Sequence, residues 1–179
     1  MNNYFKLKKY IPERQQLSGL NRLYKTREEA EMIAKNMVER NKLFNGPVAE
    51  YTPYFEWCND TEAEYVEIYQ MKHGNPALRG CRFEKYEIAN RNGAVYPENY
   101  DLVYRVERQA IEFSVEWFED GMKREELLEP MFAKQFWRPE DYFGTSLSVS
   151  DIIVFKRMDN DKVLSSWYIQ PNGFREIIF

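Results

Sequence analysis

From Arg138 to Phe155 the chain reads Arg-Pro-Glu-Asp-Tyr-Phe-Gly-Thr-Ser-Leu-Ser-Val-Ser-Asp-Ile-Ile-Val-Phe, and no other run constrains the fold as much. Its last four residues are β-branched or aromatic, the composition of a buried strand. The glycine and serines before them suit a chain turning into that strand, because short hydroxyl side chains bond local amides well. A strand is therefore expected from Ser148 to Phe155. Period-two geometry sets Ser146, Ser148 and Ser150 on one face, with Leu147, Val149 and Asp151 on the other. Strand-like segments continue to the end: a turn at Asp159-Asn-Asp161, a strand from Val163 to Ile169, a turn at Pro171-Asn-Gly173 and a strand from Phe174 to Phe179. The expected outcome is a C-terminal β-meander.

Upstream, Tyr4 to Ile11 reads as a strand before Pro12, followed by a loop through Gly19. Thr26-Arg-Glu-Glu29 is a capping box, in which the threonine hydroxyl accepts from the amide of Glu29 and the glutamate reaches back. Apolar residues then fall at Ala30, Ile33, Ala34, Met37, Val38 and Phe44, so an amphipathic helix ends near Asn45-Gly46-Pro47. With a strand around Val48 to Trp57, residues 1–57 form a small strand-helix-strand unit, and the polar connector from Cys58 to Ala63 marks a boundary. Beyond it, strands are expected at Tyr65 to Met71, more weakly at Arg82 to Ile88, and at Tyr100 to Val106, with a turn at Asn92-Gly93. Ser114 to Phe136 reads as one helix, or two interrupted at Gly121 or Pro130. The fold class is α+β, a mixed or antiparallel sheet with two to three helices.

Among 179 residues, 25 Lys and Arg stand against 29 Asp and Glu, a net charge of −4. Residues 1–57 hold 10 basic and 7 acidic groups, whereas residues 107–141 hold 5 and 10. That modest imbalance argues against a surface built for DNA. The aromatic residues Tyr51, Tyr54, Phe55, Trp57, Tyr65 and Tyr69 suit a base-stacking platform by type, yet no Lys or Arg lies between Tyr51 and Tyr69 to hold phosphates, so a core role is expected. No segment approaches the roughly 18 apolar residues of a membrane span, and the first residues lack the apolar run of a secretory signal, so a cytoplasmic protein is expected. The cysteines, Cys58 and Cys81, and the single histidine, His73, do not make a zinc spacing. Free thiols, no metal and no cofactor are the expectation, and phosphate-loop and dinucleotide glycine patterns are absent.

Few groups carry chemistry. A row of serine hydroxyls at 146, 148 and 150 lines a polar groove or satisfies the backbone of the turn, and the second role is expected. A serine hydrolase would need His73 to reach one of these serines with Asp151 as orienter, without a nucleophile elbow around them. His73 is expected in a loop or at a strand end. Adjacent acids such as Glu119-Asp120, Glu125-Glu126 and Glu140-Asp141 read as solvated faces. Asp151, placed before an apolar run, is expected to cap a turn or pair with Arg138. The candidate motif is Tyr142, Gly144, Ser146, Ser148, Ser150 and Asp151, functional or structural, with no catalytic residue assigned.

Asp141-Tyr-Phe-Gly-Thr-Ser-Leu-Ser-Val-Ser-Asp-Ile-Ile-Val154 resembles the signature of YodL-like domains. Ile68-Tyr-Gln-Met-Lys72, Tyr100-Asp-Leu-Val-Tyr104 and Trp167-Tyr-Ile-Gln-Pro-Asn-Gly-Phe174 resemble the family's other blocks, so the likeness covers about residues 65–179 and leaves 1–57 outside it. Thr145 stands where the family often has histidine or arginine. The resemblance implies plasmids, conjugative transposons and phages as setting, and proteins that help incoming DNA establish itself. It implies no reaction. The expected function is that of a non-enzymatic bacterial mobile-element accessory protein acting on another protein, through host-defence interference or element establishment. The alternative is a nucleic-acid-associated accessory, or a small-ligand enzyme with its pocket at the serine-rich strand entry.

Overall fold

The computed structural model describes residues 4–56, 60, 62–112, 121–133 and 139–179. Its first unit is a three-stranded antiparallel sheet of β1 (Tyr4–Ile11), β2 (Gln16–Gly19) and β3 (Glu50–Glu56) in the order β2-β1-β3, covered by α1 (Arg27–Leu43). The capping box forms as its chemistry dictates: the Glu29 amide donates to the Thr26 hydroxyl at 3.1 Å. The Glu29 carboxylate reaches one residue further back than the box requires, accepting from the Lys25 amide at 2.9 Å. Ala30, Ile33, Ala34 and Met37 bury against Leu7 and Tyr24. Phe44 does not join them. The helix stops at Leu43 and leaves Phe44 78% exposed. Residues 12–19 are not a plain loop: a turn at Pro12–Arg14, completed by Gln15 at φ 49°, folds β2 back along β1.

The second sheet has five antiparallel strands in the order β5-β4-β6-β7-β8: β4 (Glu64–Met71), β5 (Tyr100–Glu107), β6 (Ile152–Arg157), β7 (Val163–Gln170) and β8 (Gly173–Ile177). The C-terminal meander is β6-β7-β8. One face of the sheet, with Val66, Ile68, Tyr104, Val106, Ile153 and Phe155, packs on α3 (Arg108–Glu112) and α4 (Arg124–Ala133) through Ile111, Leu127, Leu128 and Met131. Met71, Ile152, Val154 and Tyr168 on the other face pack on Leu78, Cys81 and Ala89. The molecule is thus α+β. Among the described residues no helix is long and apolar enough to cross a membrane.

Arg82 to Ile88 is not a strand. Phe83 adopts φ 63°, which breaks an extended run, and α2 (Tyr86–Arg91) follows instead. Of the helix expected from Ser114 to Phe136, residues 114–120 and 134–136 lie outside the described residues. In what is described, α3 begins already at Arg108, Gly121 at φ 87° precedes α4, and Pro130 sits inside α4 without ending it. Trp57 and Cys58 also lie outside, whereas Cys81 is a buried free thiol. The aromatic residues of β3 and β4 belong to different sheets, so they form no single platform.

The two sheets meet through residues 22–24. Phe5 and Tyr24 exchange backbone hydrogen bonds of 2.9 Å, the Leu23 amide donates to the Arg105 carbonyl at 2.8 Å, and Arg22 bridges Val106. Beneath this seam lies Asp141, fully buried, accepting from the Tyr104 hydroxyl at 3.3 Å and the Tyr24 hydroxyl at 3.4 Å. Arg22 donates to the Asp141 carbonyl at 2.7 Å and stacks over the rings of Tyr24 and Tyr104. Glu140-Asp141 is therefore no solvated face. Tyrosine bodies supply apolar contact while their hydroxyls satisfy the carboxylate.

Candidate functional site

The serine run does not enter the sheet as a strand. β6 begins at Ile152, and residues 146–150 form an irregular turn, so the three serines share no strand face. Two features shape that turn. Ser150 takes φ 78°, and its amide donates to the Ile169 carbonyl at 2.9 Å, which fixes it on β7. Asp151, 4% exposed, folds back to cap the turn: its Oδ2 accepts from the Ser148 amide at 2.9 Å and from the Ser148 hydroxyl at 3.4 Å. Arg138, the other partner expected for Asp151, lies outside the described residues.

Gln70, at the inner end of β4, is the hub of the assembly. Its Nε2 donates to Asp151 Oδ2 at 2.9 Å and to the Thr145 carbonyl at 3.1 Å, while its Oε1 accepts from the Thr145 amide at 2.8 Å and the Thr145 hydroxyl at 3.1 Å. The Tyr142 hydroxyl also donates to the Thr145 carbonyl, at 2.6 Å. Gly144 is required by this crowding, because a Cβ there would lie 2.7 Å from Gln70 Oε1 and 2.8 Å from the Tyr142 hydroxyl oxygen.

Ser146, Ser148, Ser150 and Asp151 line a cleft of about 290 Å³ together with Gln70, Met71, His73, Arg82, Phe83 and Thr145. Tyr142 and Gly144 are not in its lining. They stand behind it and hold Thr145. Opposite the serines, Arg82 donates through Nη2 to the Met71 carbonyl at 2.7 Å and through Nη1 to His73 Nδ1 at 3.0 Å. The Phe83 amide donates across to the Ser150 hydroxyl at 3.4 Å, so two residues with left-handed backbones join where the walls meet. The Phe83 ring is 64% exposed.

Burial pushes the Asp151 carboxyl up to about 7, against the bonds from Gln70 and Ser148 and the attraction of Arg82. All its hydrogen bonds fall on Oδ2; among the described residues Oδ1 takes none. No serine–histidine–aspartate relay is assembled, since the Ser148 hydroxyl turns to Asp151 and His73 pairs with Arg82. The arrangement offers a mixed set of acceptors and donors on rigid supports, suited to holding a small polar group.

Four of the ten lining residues belong to the candidate motif, whereas Gln70, Met71, His73, Arg82, Phe83 and Thr145 do not. A glutamine on a strand carries no signal of its own, and the left-handed backbone of Phe83 leaves no mark in its residue type. A larger hollow of about 400 Å³, bordered by Glu62, Glu64, Glu107, Arg108 and Glu112, is occupied with its own charges. Glu64 pairs with Arg108 and Arg124, and Glu112 with Arg108.

The family profile of the YodL-like domain matches residues 65–179, the segment that holds the five-stranded sheet and the whole cleft. No curated protein and no solved structure matches. The chain belongs to the YodL-like domain family.

Proposed function

We propose that this YodL-like domain protein works by binding, with the cleft at the serine turn as the site that receives a small polar ligand, in the service of a mobile-element accessory role. One observation carries the reading: Phe83 and Ser150, both left-handed and neither glycine, meet at the cleft beside a buried carboxylate with an unbonded oxygen. Such backbone conformations cost about 1–3 kcal/mol each and persist where surrounding structure imposes them, characteristically at ligand sites. The volume, just under the usual range for ligand pockets of about 300–1,000 Å³, limits the occupant to a small molecule. The test is amide-resolved NMR with a panel of amino acids, amides, sugars and nucleosides. Shifts at the amides of Phe83, Thr145 and Ser148 are expected. If no compound perturbs them up to about 10 mM, where a millimolar ligand is largely bound, the reading fails.

A second reading, interference with a host protein, is favoured by one patch. Leu43, Phe44 and Val48 are 80%, 78% and 67% exposed within six residues, an apolar display with no role in the core. Serine at all three positions should abolish retention of a specific protein from nuclease-treated bacterial lysate. Undiminished retention removes this patch as the docking surface.

A further inference from the structure

Four consecutive residues leading into the cleft are each held by the N-terminal unit. Lys9 of β1 pairs with Glu140 at 2.6 Å, and the Tyr51 hydroxyl of β3 donates to the same carboxylate. Arg22 holds the Asp141 carbonyl at 2.7 Å. Arg40 of α1 donates to the Tyr142 carbonyl at 3.4 Å and lies over the Phe143 ring at 4.6 Å. Burial works to raise the Glu140 carboxyl, yet Lys9 and the Tyr51 hydroxyl outweigh it and hold it below the usual carboxylate range. The described strap from Pro139 to Asp151 belongs to no helix or strand, so side-chain anchors must supply the positioning that backbone ladders supply elsewhere. At its far end Gly144 is wedged against Gln70 and Tyr142, and the next residue, Thr145, is cleft wall.

We infer that the N-terminal unit positions the cleft: Lys9 and Arg40, backed by Arg22 and Tyr51, fix the strap 140–143 and so set the Thr145–Ser148 wall against the Arg82–Phe83 wall. This rests on the cleft being the ligand site, and it assigns residues outside the family match a role in a site inside it. Anchors drawn from β1, β3 and α1 together form one rigid support, and a strap gripped at four successive residues cannot drift without breaking several charge-assisted bonds at once. Lys9, Arg22, Tyr51 and Arg40 are positioning residues, since none of them lines the cleft.

The experiment compares the full chain with the Lys9→Met, Arg40→Met double variant by hydrogen exchange, by NMR titration of the Asp151 carboxyl and by binding of whichever panel compound shifts the cleft amides. Exchange of the Thr145 and Ser148 amides should quicken by roughly tenfold, while the amides of Ile153 and Tyr168 in the sheet keep their protection. The Asp151 midpoint should fall from about 7 toward the ordinary carboxylate range as water enters. Arg82, Tyr100 and Tyr168, whose charges or hydroxyls couple to it, and His73 across the cleft are unchanged in the variant. Thr145 protection and an Asp151 midpoint identical to those of the parent overturn the inference. Should the double variant lose protection throughout the sheet, Glu140→Gln, which keeps the shape and removes the charge, is read the same way, and unchanged Thr145 exchange there overturns it. Exchange and titration need no ligand, so failure of the binding reading is seen separately, as a panel without hits.

Discussion

Asp141 and Asp151 stand at the two ends of one strap and are buried almost equally, at 0% and 4% exposure, yet the structure treats them in opposite ways. Each oxygen of Asp141 takes a tyrosine hydroxyl, from Tyr104 and Tyr24, and Arg22 lies alongside as countercharge. Asp151 has only neutral hydrogen-bond donors, all on one oxygen, and its attraction to Arg82 is weaker than the hold of Gln70 and Ser148. Burial pushes both carboxyls above the ordinary value. What differs is closure: the first is sealed under the N-terminal unit, the second borders a cleft. Burial of an acid therefore does not by itself mark a functional group. The partner set and the space beside it do.

The largest expected effect follows from the sealed member. Asp141→Asn leaves Arg22, 6% exposed, without its countercharge and presents an NH2 to one tyrosine hydroxyl. Denaturant unfolding at neutral pH should show a loss of about 3 kcal/mol, the upper end of the usual cost when a buried polar group loses a hydrogen-bond partner. A loss no greater than the roughly 0.5 kcal/mol of a surface substitution would erase the distinction.

The open member should tolerate the same substitution, because its bonds survive it. Asp151 rises from 3.8 to about 7 on folding, so between those values the folded state holds more protons than the unfolded one and stability falls as pH rises. At roughly 1.4 kcal/mol per pH unit the decline reaches at most about 4 kcal/mol, fully incurred above pH 7. Because all its bonds fall on Oδ2, an asparagine can keep them through its amide oxygen and turn its NH2 to the cleft. Asp151→Asn should therefore flatten this part of the stability profile and be more stable than the parent at pH 8. A variant less stable than the parent at pH 8 would show that the carboxylate is structural there too.

The sequence exposed whatever depends on local pattern. Alternating or continuous apolar character marked β1, β4, β5, β7 and β8, and Thr26 with Glu29 marked the start of α1, because those signals lie within a few residues of what they specify. Arg82 to Ile88 misled for the complementary reason: strand-like composition does not reveal that Phe83 turns left-handed and that a helix starts at Tyr86. The serine run carried a strand's alternation but not its backbone, since Ser150 is left-handed and Asp151 caps backwards onto Ser148. Asp141 looked like surface beside Glu140 because its partners Tyr24 and Tyr104 lie 117 and 37 residues away. The cleft was half legible for the same reason. Its serine wall is one contiguous segment, while Gln70 is 81 residues from the Asp151 it holds.

A smaller effect tests the strap between the two aspartates. Gly144→Ala puts a methyl 2.7 Å from Gln70 Oε1, and the overpacking should cost about 1–3 kcal/mol and lengthen the Gln70–Thr145 bonds. Measured by denaturant unfolding together with the Thr145 amide shift, a neutral outcome would mean that Gln70 can retreat and that the two ends of the strap are less firmly joined than the geometry indicates.

The smallest effect on stability is the most informative about function. At φ 63° the Phe83 Cβ meets the crowding of the left-handed region, worth roughly 1–2 kcal/mol, which glycine escapes. Glycine in turn surrenders about 0.5–1 kcal/mol of backbone entropy, and a ring already 64% exposed contributes little burial. Phe83→Gly should thus stay within about 1 kcal/mol of the parent and on the stable side, since relief of strain exceeds the entropy lost. Cleft binding should nonetheless weaken, because the ring at the rim is gone and the wall opposite Ser150 is free to move. Binding preserved in a stabilised variant would mean that the strain serves neither fold nor ligand. A destabilised variant would place Phe83 with Asp141 among the groups that hold the molecule together, leaving Asp151 alone on the open side.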